Sequence, residues 1–223
     1  MGAEAEGNIL PFRDRAEAGR LLGSALAVYA RRNDVVVLGL PRGGVAVACQ
    51  VSKALAAPLD VLVVRMVGAP GNPELAIGAV APGGVCILQE PIITALELDP
   101  ATVTALAAGE EEALRRGQEF YRRNLPPQRI EGATAILVDD GIATGATMLA
   151  AVAALRRQEA KAIVVAAPVA PAAVCRELQS QADHVVCLAT PDVFFTVGQW
   201  YVDFEQVSDQ EMAALLEQAS TFA

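Results

Sequence analysis

The sequence predicts an α/β fold, a mostly parallel twisted sheet with flanking helices. Three observations carry that expectation. Apolar runs of the kind a strand buried on both faces requires recur at Val35–Leu40, Leu59–Val64, Ala135–Val138, Ile163–Val169 and Val185–Leu188. Between most of them lie stretches with helical spacing, so that strand and helix alternate, which implies right-handed crossovers and a parallel sheet. Two of the strands also run straight into small, Gly-rich loops at their carboxyl ends, where open parallel sheets bind ligands.

The elements follow in chain order. Asp14 followed by Glu17 marks a helix start, with Ala18, Leu21, Leu22, Ala25, Val28 and Tyr29 on one face and Asn33-Asp34 closing it. The strand Val35–Leu40 leads through Pro41-Arg42-Gly43-Gly44 into a helix from about Val45 to Ala56. The strand Leu59–Val64 ends in Arg65. Gly68–Glu74 then reads as a long Gly/Pro loop before two short apolar runs, Ile77–Val80 and Val85–Leu88, split by Ala81–Gly84. Such a loop serves either as a functional lid or as a surface hairpin with incidental polar residues.

A long helix is expected from Pro100 to Asn124, with Val103, Leu106, Ala107, Leu114 and Tyr121 inward and Glu110–Glu112 and Arg115-Arg116 on a solvated face. Pro126-Pro127 breaks it. A helix over Thr147–Gln158, a strand over Ile163–Val169, a helix over Pro171–Ser180 and the strand Val185–Leu188 complete the alternation. Pro191–Phe204 departs from it and gathers most of the aromatic residues. Ser208 and Glu211 form a capping box for a last helix with Met212, Leu215 and Leu216 inward.

The totals bound the function. At 223 residues, 53% hydrophobic and 19% charged, the chain is read as one domain, residues 1–223. Its net charge of −9 argues against nucleic acid as a partner, since such proteins present a basic face. No apolar run reaches the roughly 18 residues of a membrane span, and no exported leader is visible beside Glu4 and Glu6. Cys49, Cys86, Cys175 and Cys187 lack metal-site spacing and read as reduced core residues of a cytoplasmic protein. The single histidine, His184, is expected to be a structural strand-end residue.

The most informative stretch is Ile136–Thr147. Its strand ends in two carboxylates, Asp139 and Asp140, and then a small loop opens a helix in which Met148, Ala151, Val152 and Leu155 recur at i, i+3, i+4 and i+7. Thr144, Gly145, Ala146 and Thr147 can offer backbone N–H groups and two hydroxyls at a helix N-terminus, which suits a phosphate. The carboxylates would repel that phosphate. They fit a pair of sugar hydroxyls or a hydrated Mg²⁺ instead. A phosphate beside a diol describes a ribose 5-phosphate.

Val-Asp-Asp-Gly-Ile-Ala-Thr-Gly-Ala-Thr resembles the phosphoribosyl-pyrophosphate signature of the type I phosphoribosyltransferases. The resemblance extends over nearly the whole chain and implies that family's fold, with a small hood from the termini at about residues 1–13 and 190–207. It implies that Arg42, Gly43 and Gly44 hold pyrophosphate on a loop that commonly carries a cis peptide. It places the family's flexible catalytic loop at Arg65, Asn72 and Glu74. It assigns the 5′-phosphate to Thr144, Gly145, Ala146 and Thr147 and the ribose hydroxyls to Asp139 and Asp140. The Pro-Asp…Phe…Val-Gly…Asp tail is similar to the purine-salvage hood. By that match Phe195 or Phe194 stacks on a base and Asp203 joins Asp139 and Asp140 at a metal, although such an aromatic cluster serves equally well as core. Relative to small members of the family, about residues 95–126 form a helical insertion, a surface for a second subunit in a homodimer.

The implied reaction transfers ribose 5-phosphate from phosphoribosyl pyrophosphate to a nitrogen nucleophile such as a nucleobase, with Mg²⁺ as cofactor. One departure bears on the acceptor: Ala143 stands where 6-oxopurine transferases carry an acid, and the base is left open. The rival expectation is a non-catalytic sensor of phosphoribosyl pyrophosphate or a nucleotide that regulates a partner.

Overall fold

The computed structural model describes residues 10–122 and 127–220. Residues 1–9 of the expected hood, and residues 123–126 at the end of the expected helical insertion, lie outside the described residues. In chain order the elements begin α1 (Arg15–Ala25), β1 (Val35–Gly39), α2 (Gly43–Leu55), β2 (Leu59–Val61), β3 (Arg65–Ala69), β4 (Asn72–Ala81), β5 (Val85–Leu88) and α3 (Glu90–Ala95). There follow α4 (Pro100–Arg122), β6 (Thr134–Val138), α5 (Ala146–Arg157), β7 (Ala162–Val169), α6 (Ala172–Gln179), β8 (His184–Ala189) and α7 (Asp209–Ser220).

Five strands form a parallel sheet in the order β2-β1-β6-β7-β8. Alternate residues of its strands serve opposite faces, as the two-residue period of a strand requires. Val35, Val37, Ile136, Val138 and Val164 pack with Leu22, Val45, Val51, Met212 and Leu216 of α1, α2 and α7, and with Leu26 just past the end of α1. Val36, Leu38, Leu137, Ile163 and Val165 pack with Met148, Val152, Leu155 and Leu178 of α5 and α6. Both faces are covered, which is why these strands read as unbroken apolar runs. Each large side chain fully buried there contributes roughly 1.5–3 kcal/mol.

Local chemistry sets the helix ends. The Asp14 side chain accepts from the Glu17 N–H at 2.7 Å, and Glu17 in turn accepts from the Arg13 N–H. Ser208 and Glu211 make the same reciprocal box at α7: the Glu211 carboxylate accepts from the Ser208 N–H at 2.8 Å and the Ser208 hydroxyl accepts from the Glu211 N–H at 3.2 Å.

Several expectations are corrected. The Gly/Pro stretch after Arg65 is a hairpin and not a long loop: Ala69 pairs with Asn72 around Pro70-Gly71, and β3, β4 and β5 form an antiparallel meander. Pro followed by Gly71 at φ 75° is the turn chemistry that closes it. Arg65 therefore opens β3, and the preceding strand stops at Val61. Helix α1 ends at Ala25, so Leu21 is 38% and Val28 77% exposed while Leu26 is fully buried. The chain turns there towards β1, with Arg31 at φ 58° donating its N–H to the Leu55 carbonyl. Helix α3 is not among the expected elements, although Glu90 and Pro91 in its first turn are helix-start signals. Cys86 is exposed on β5, an outer strand of the meander, and not a core residue.

The two segments expected to form a hood lie against each other. Phe12 bridges Tyr201 in parallel, with the Phe12 N–H donating to the Trp200 carbonyl and the Val202 N–H donating to the Phe12 carbonyl, both at 2.8 Å. Phe12, Ala18, Val169 and Tyr201 form its buried centre, with Phe194, Val197, Trp200 and Phe204 packed around them. Among the described residues no helix is long and apolar enough to cross a membrane.

Candidate functional site

The strand order places the site. From β1 the chain crosses to β2 on one side, and from β6 it crosses to β7 and β8 on the other. The crevice between the carboxyl ends of β1 and β6 is thus the point where the winding reverses, the position at which open α/β sheets take ligands. Gly39 and Val138 pair at that edge, and the Leu40 N–H donates to the Val138 carbonyl at 2.9 Å. The two motifs, about a hundred residues apart in the chain, become neighbours there.

Their small residues are a condition of that contact. A Cβ on Gly43 would overlap the Asp140 carboxylate, and one on Gly44 would lie 2.8 Å from the Val138 carbonyl and 2.9 Å from Asp139 Oδ1. Only glycine lets the start of α2 lie directly on the acidic pair. The Pro41–Arg42 peptide, just before it, is cis. Both helices that open at the crevice, α2 and α5, lack a side-chain cap at their N-termini. The first backbone N–H groups of a helix have no intrahelical acceptor, so two uncapped ends converging on one crevice present donors and positive field to anions. The α5 end is formed by Gly145 at φ 81°, with Ala143 and Thr144 exposed and Ala146 and Thr147 half-buried.

The carboxylates between these helix ends differ in setting. Asp139 Oδ1 accepts from the Asp140 N–H at 2.9 Å. Burial, together with the neighbouring Asp140 charge, raises the Asp139 pKa well above the ordinary carboxylate value. Asp140 Oδ2 accepts from Arg15 Nε at 2.7 Å, and the Tyr201 hydroxyl donates to the Asp140 carbonyl at 2.5 Å. Burial, and then the Asp140 charge, push the Tyr201 phenol above its usual pKa and keep it a donor.

Two cavities adjoin the crevice. One of about 350 Å³ is lined by Pro41, Arg42, Arg65, Tyr121 and Asp209. It brings together two arginines expected at the site, each facing a carboxylate: Arg42 lies 3.9 Å from Asp209, and Arg65 donates to Glu110 at 2.8 Å. The other, about 570 Å³, lies between the meander and the start of α5 and includes Met66, Ala76, Gly78, Gln89, Thr144 and Ala146.

Other expected residues are placed differently. Phe194 packs on Trp200 with ring centroids 6.0 Å apart, in the hood core, whereas Phe195 is 80% exposed. Asp203 is committed to the hood: its N–H donates to the Arg13 carbonyl and its carboxylate accepts from the Glu205 N–H at 3.2 Å. Among the described residues no three His, Cys, Asp or Glu side chains gather where they could hold a metal, so Asp203 does not join Asp139 and Asp140. Glu74 lies on β4, and its side chain is outside the described residues. The adjacent carboxylates do suit Mg²⁺ in the mode in which it takes one or two carboxylates and keeps its remaining positions for water and substrate oxygens. Sequence reasoning missed Arg15 and Tyr201, whose partners lie 125 and 61 positions away.

The fold and the crevice define a doubly wound α/β protein with a candidate site at its switch point, and comparison gives the family. The model of the phosphoribosyl transferase domain matches residues 15–205, and the chain belongs to that family. It is 47% identical over 208 residues to two proteins of Mycobacterium tuberculosis, strains CDC 1551 / Oshkosh and H37Rv, both provisionally named phosphoribosyl transferases. The match covers 93% of this chain but 47% of each relative, so the chain spans about half the length of the curated relatives it matches. The crystal structure of a Thermus thermophilus protein, TT1426, superimposes with a TM-score of 0.80 at 43% identity, covering 94% of this chain and 99% of that one.

Proposed function

We propose that the chain transfers the ribose 5-phosphate of phosphoribosyl pyrophosphate to a nitrogen nucleophile, a nucleobase, and releases pyrophosphate. The observation that carries this reading is the convergence of two uncapped helix N-termini on one acidic pair at the β1/β6 crevice. Two anionic groups and a diol between them are what phosphoribosyl pyrophosphate offers.

In this reading the 5′-phosphate lies on the N–H groups and hydroxyls of Thr144–Thr147. Asp139 and Asp140 accept from the ribose hydroxyls. Pyrophosphate lies at the start of α2, with Arg42, Gly43 and Gly44, and its charge draws Arg42 and Arg65, which line the neighbouring cavity, towards it and away from their carboxylate partners. The C1–oxygen bond to pyrophosphate breaks as the acceptor nitrogen bonds C1, the proton of that nitrogen is lost to solvent, and the helix ends and arginines stabilise the charge gathering on the leaving group. Asp139 and Asp140 would be the residues to hold Mg²⁺, which would supply further neutralisation of that charge. Glu74, from the stretch that the resemblance matches to the flexible loop, is the acid on the acceptor side in this reading, and the exposed Phe195 offers a ring for a base to stack on.

Calorimetric titration with phosphoribosyl pyrophosphate and Mg²⁺, followed by a nucleobase panel scored for pyrophosphate release, tests the reading. Binding with release for one base is the expected result. Binding without release for any acceptor replaces the transferase by a sensor, and absence of binding removes the site.

A further inference from the structure

The Asp140 carboxylate is held from outside its own loop. Arg15, the first residue of α1, reaches it with Nε at 2.7 Å, and the two side chains are only 12% and 14% exposed. The same guanidinium donates Nη1 to the Glu205 carbonyl at 2.6 Å and lies 3.9 Å from the Phe204 ring centroid. Gly43 closes another side, since a Cβ there would also come within 2.9 Å of Arg15 Nε. One side chain therefore touches the acidic pair, the terminal hood and the Gly-rich loop.

Such a pair differs from a surface ion pair. Exposed pairs are screened and their side chains move, whereas a withdrawn guanidinium with a carboxylate, a carbonyl and a ring around it has one orientation. Fixing a carboxylate in advance matters when its task is directional, as accepting from a hydroxyl is.

We propose that Arg15 is a positioning residue: it holds the Asp140 carboxylate in the orientation that recognises a sugar hydroxyl, and it makes that orientation depend on the hood being seated. The inference rests on the reading of Asp139 and Asp140 as the ribose site. Phosphate recognition at Thr144–Thr147 is separate and does not need Arg15.

The test compares calorimetric affinities for ribose 5-phosphate and tetrahydrofurfuryl phosphate, the same phosphorylated ring without its hydroxyls. Their ratio reads hydroxyl recognition alone. The unaltered protein is expected to favour ribose 5-phosphate by about ten-fold or more. In Arg15→Met the ratio falls towards one while affinity for the hydroxyl-free phosphate is unchanged. Arg15→Lys restores part of the ratio, and Phe204→Leu lies between. An unchanged or larger ratio in folded Arg15→Met overturns the inference, because Arg15 then only packs α1 or competes for Asp140. If circular dichroism shows Arg15→Met unfolded, an unchanged ratio in both Arg15→Lys and Phe204→Leu overturns it equally. A ratio near one in the unaltered protein removes the ribose reading itself and this inference with it, a result distinct from either variant outcome.

Discussion

The two ends of the same central strands carry carboxylates in opposite circumstances. At the amino ends of β1 and β6, Asp34 accepts from Arg32 at 2.9 Å and Lys161 at 3.0 Å, and its carbonyl accepts from the Thr134 N–H. These hydrogen bonds, from Arg32 first and then Lys161, hold the Asp34 carboxyl well below the usual carboxylate range. At the carboxyl ends Asp139 has another carboxylate for a neighbour, and burial keeps its pKa high. One end is neutralised by its own cations. At the other end two carboxylates share one cation, Arg15, which reaches Asp140 at 2.7 Å, so the charge there is only partly neutralised by the protein itself.

That contrast can be broken most severely at the acidic pair itself. Asp139→Asn combined with Asp140→Asn is expected to abolish turnover and the preference for hydroxylated phosphates; retained pyrophosphate release in the base panel would sink the site assignment. Next in size is Gly43→Val, which drives a side chain into Asp140. A displacement of that kind lowers phosphoribosyl pyrophosphate affinity by about 100-fold with unchanged circular dichroism, and wild-type affinity in the calorimeter would show that the two loops do not abut in solution.

Smaller effects sharpen the comparison through pH. A carboxyl whose folded pKa is raised makes the folded state bind the extra proton, so its contribution is present at low pH and is lost as pH rises. Asp139→Asn is therefore expected to have a higher Tm than the parent at pH 8, with the difference closing below about pH 4. Equal Tm values at both pH values would remove the strained carboxylate. Asp34 has the opposite sign: its lowered pKa gives stability present above the ordinary carboxylate value and lost as pH falls through the folded value. Asp34→Asn is expected to lower Tm slightly at pH 7 and to flatten the acid limb of the Tm–pH curve. An unaltered acid limb would show that other carboxylates set it.

Most of the parallel sheet and both loops of the crevice were legible because their signals are local. Val35–Gly39 and Thr134–Val138 are apolar without interruption, and the capping boxes at Asp14 and Ser208 declare their helices within four residues. The hairpin at Pro70-Gly71 carried a readable type II turn, but the surrounding Gly and Pro residues read equally well as a lid. What could not be read was any pairing across the chain. Arg15 looks like an ordinary first-turn residue until Asp140 is folded against it. Nor does sequence separate Phe194, which the hood buries against Trp200, from Phe195, which it leaves in solvent. Adjacent aromatic residues in irregular backbone have no period to tell inside from outside.

The bridge between Phe12 and Tyr201 also orders events during synthesis. The ribosome delivers Arg15 early, and Glu205, to which its guanidinium also donates, 190 positions later. A nascent chain released as far as β8 already contains β1, β6 and β7 and the starts of α2 and α5, while the Arg15 partner of Asp140 still lacks part of the frame around its guanidinium. The frame around the Arg15 guanidinium that holds Asp140 is therefore completed only after the strands of the sheet have been made.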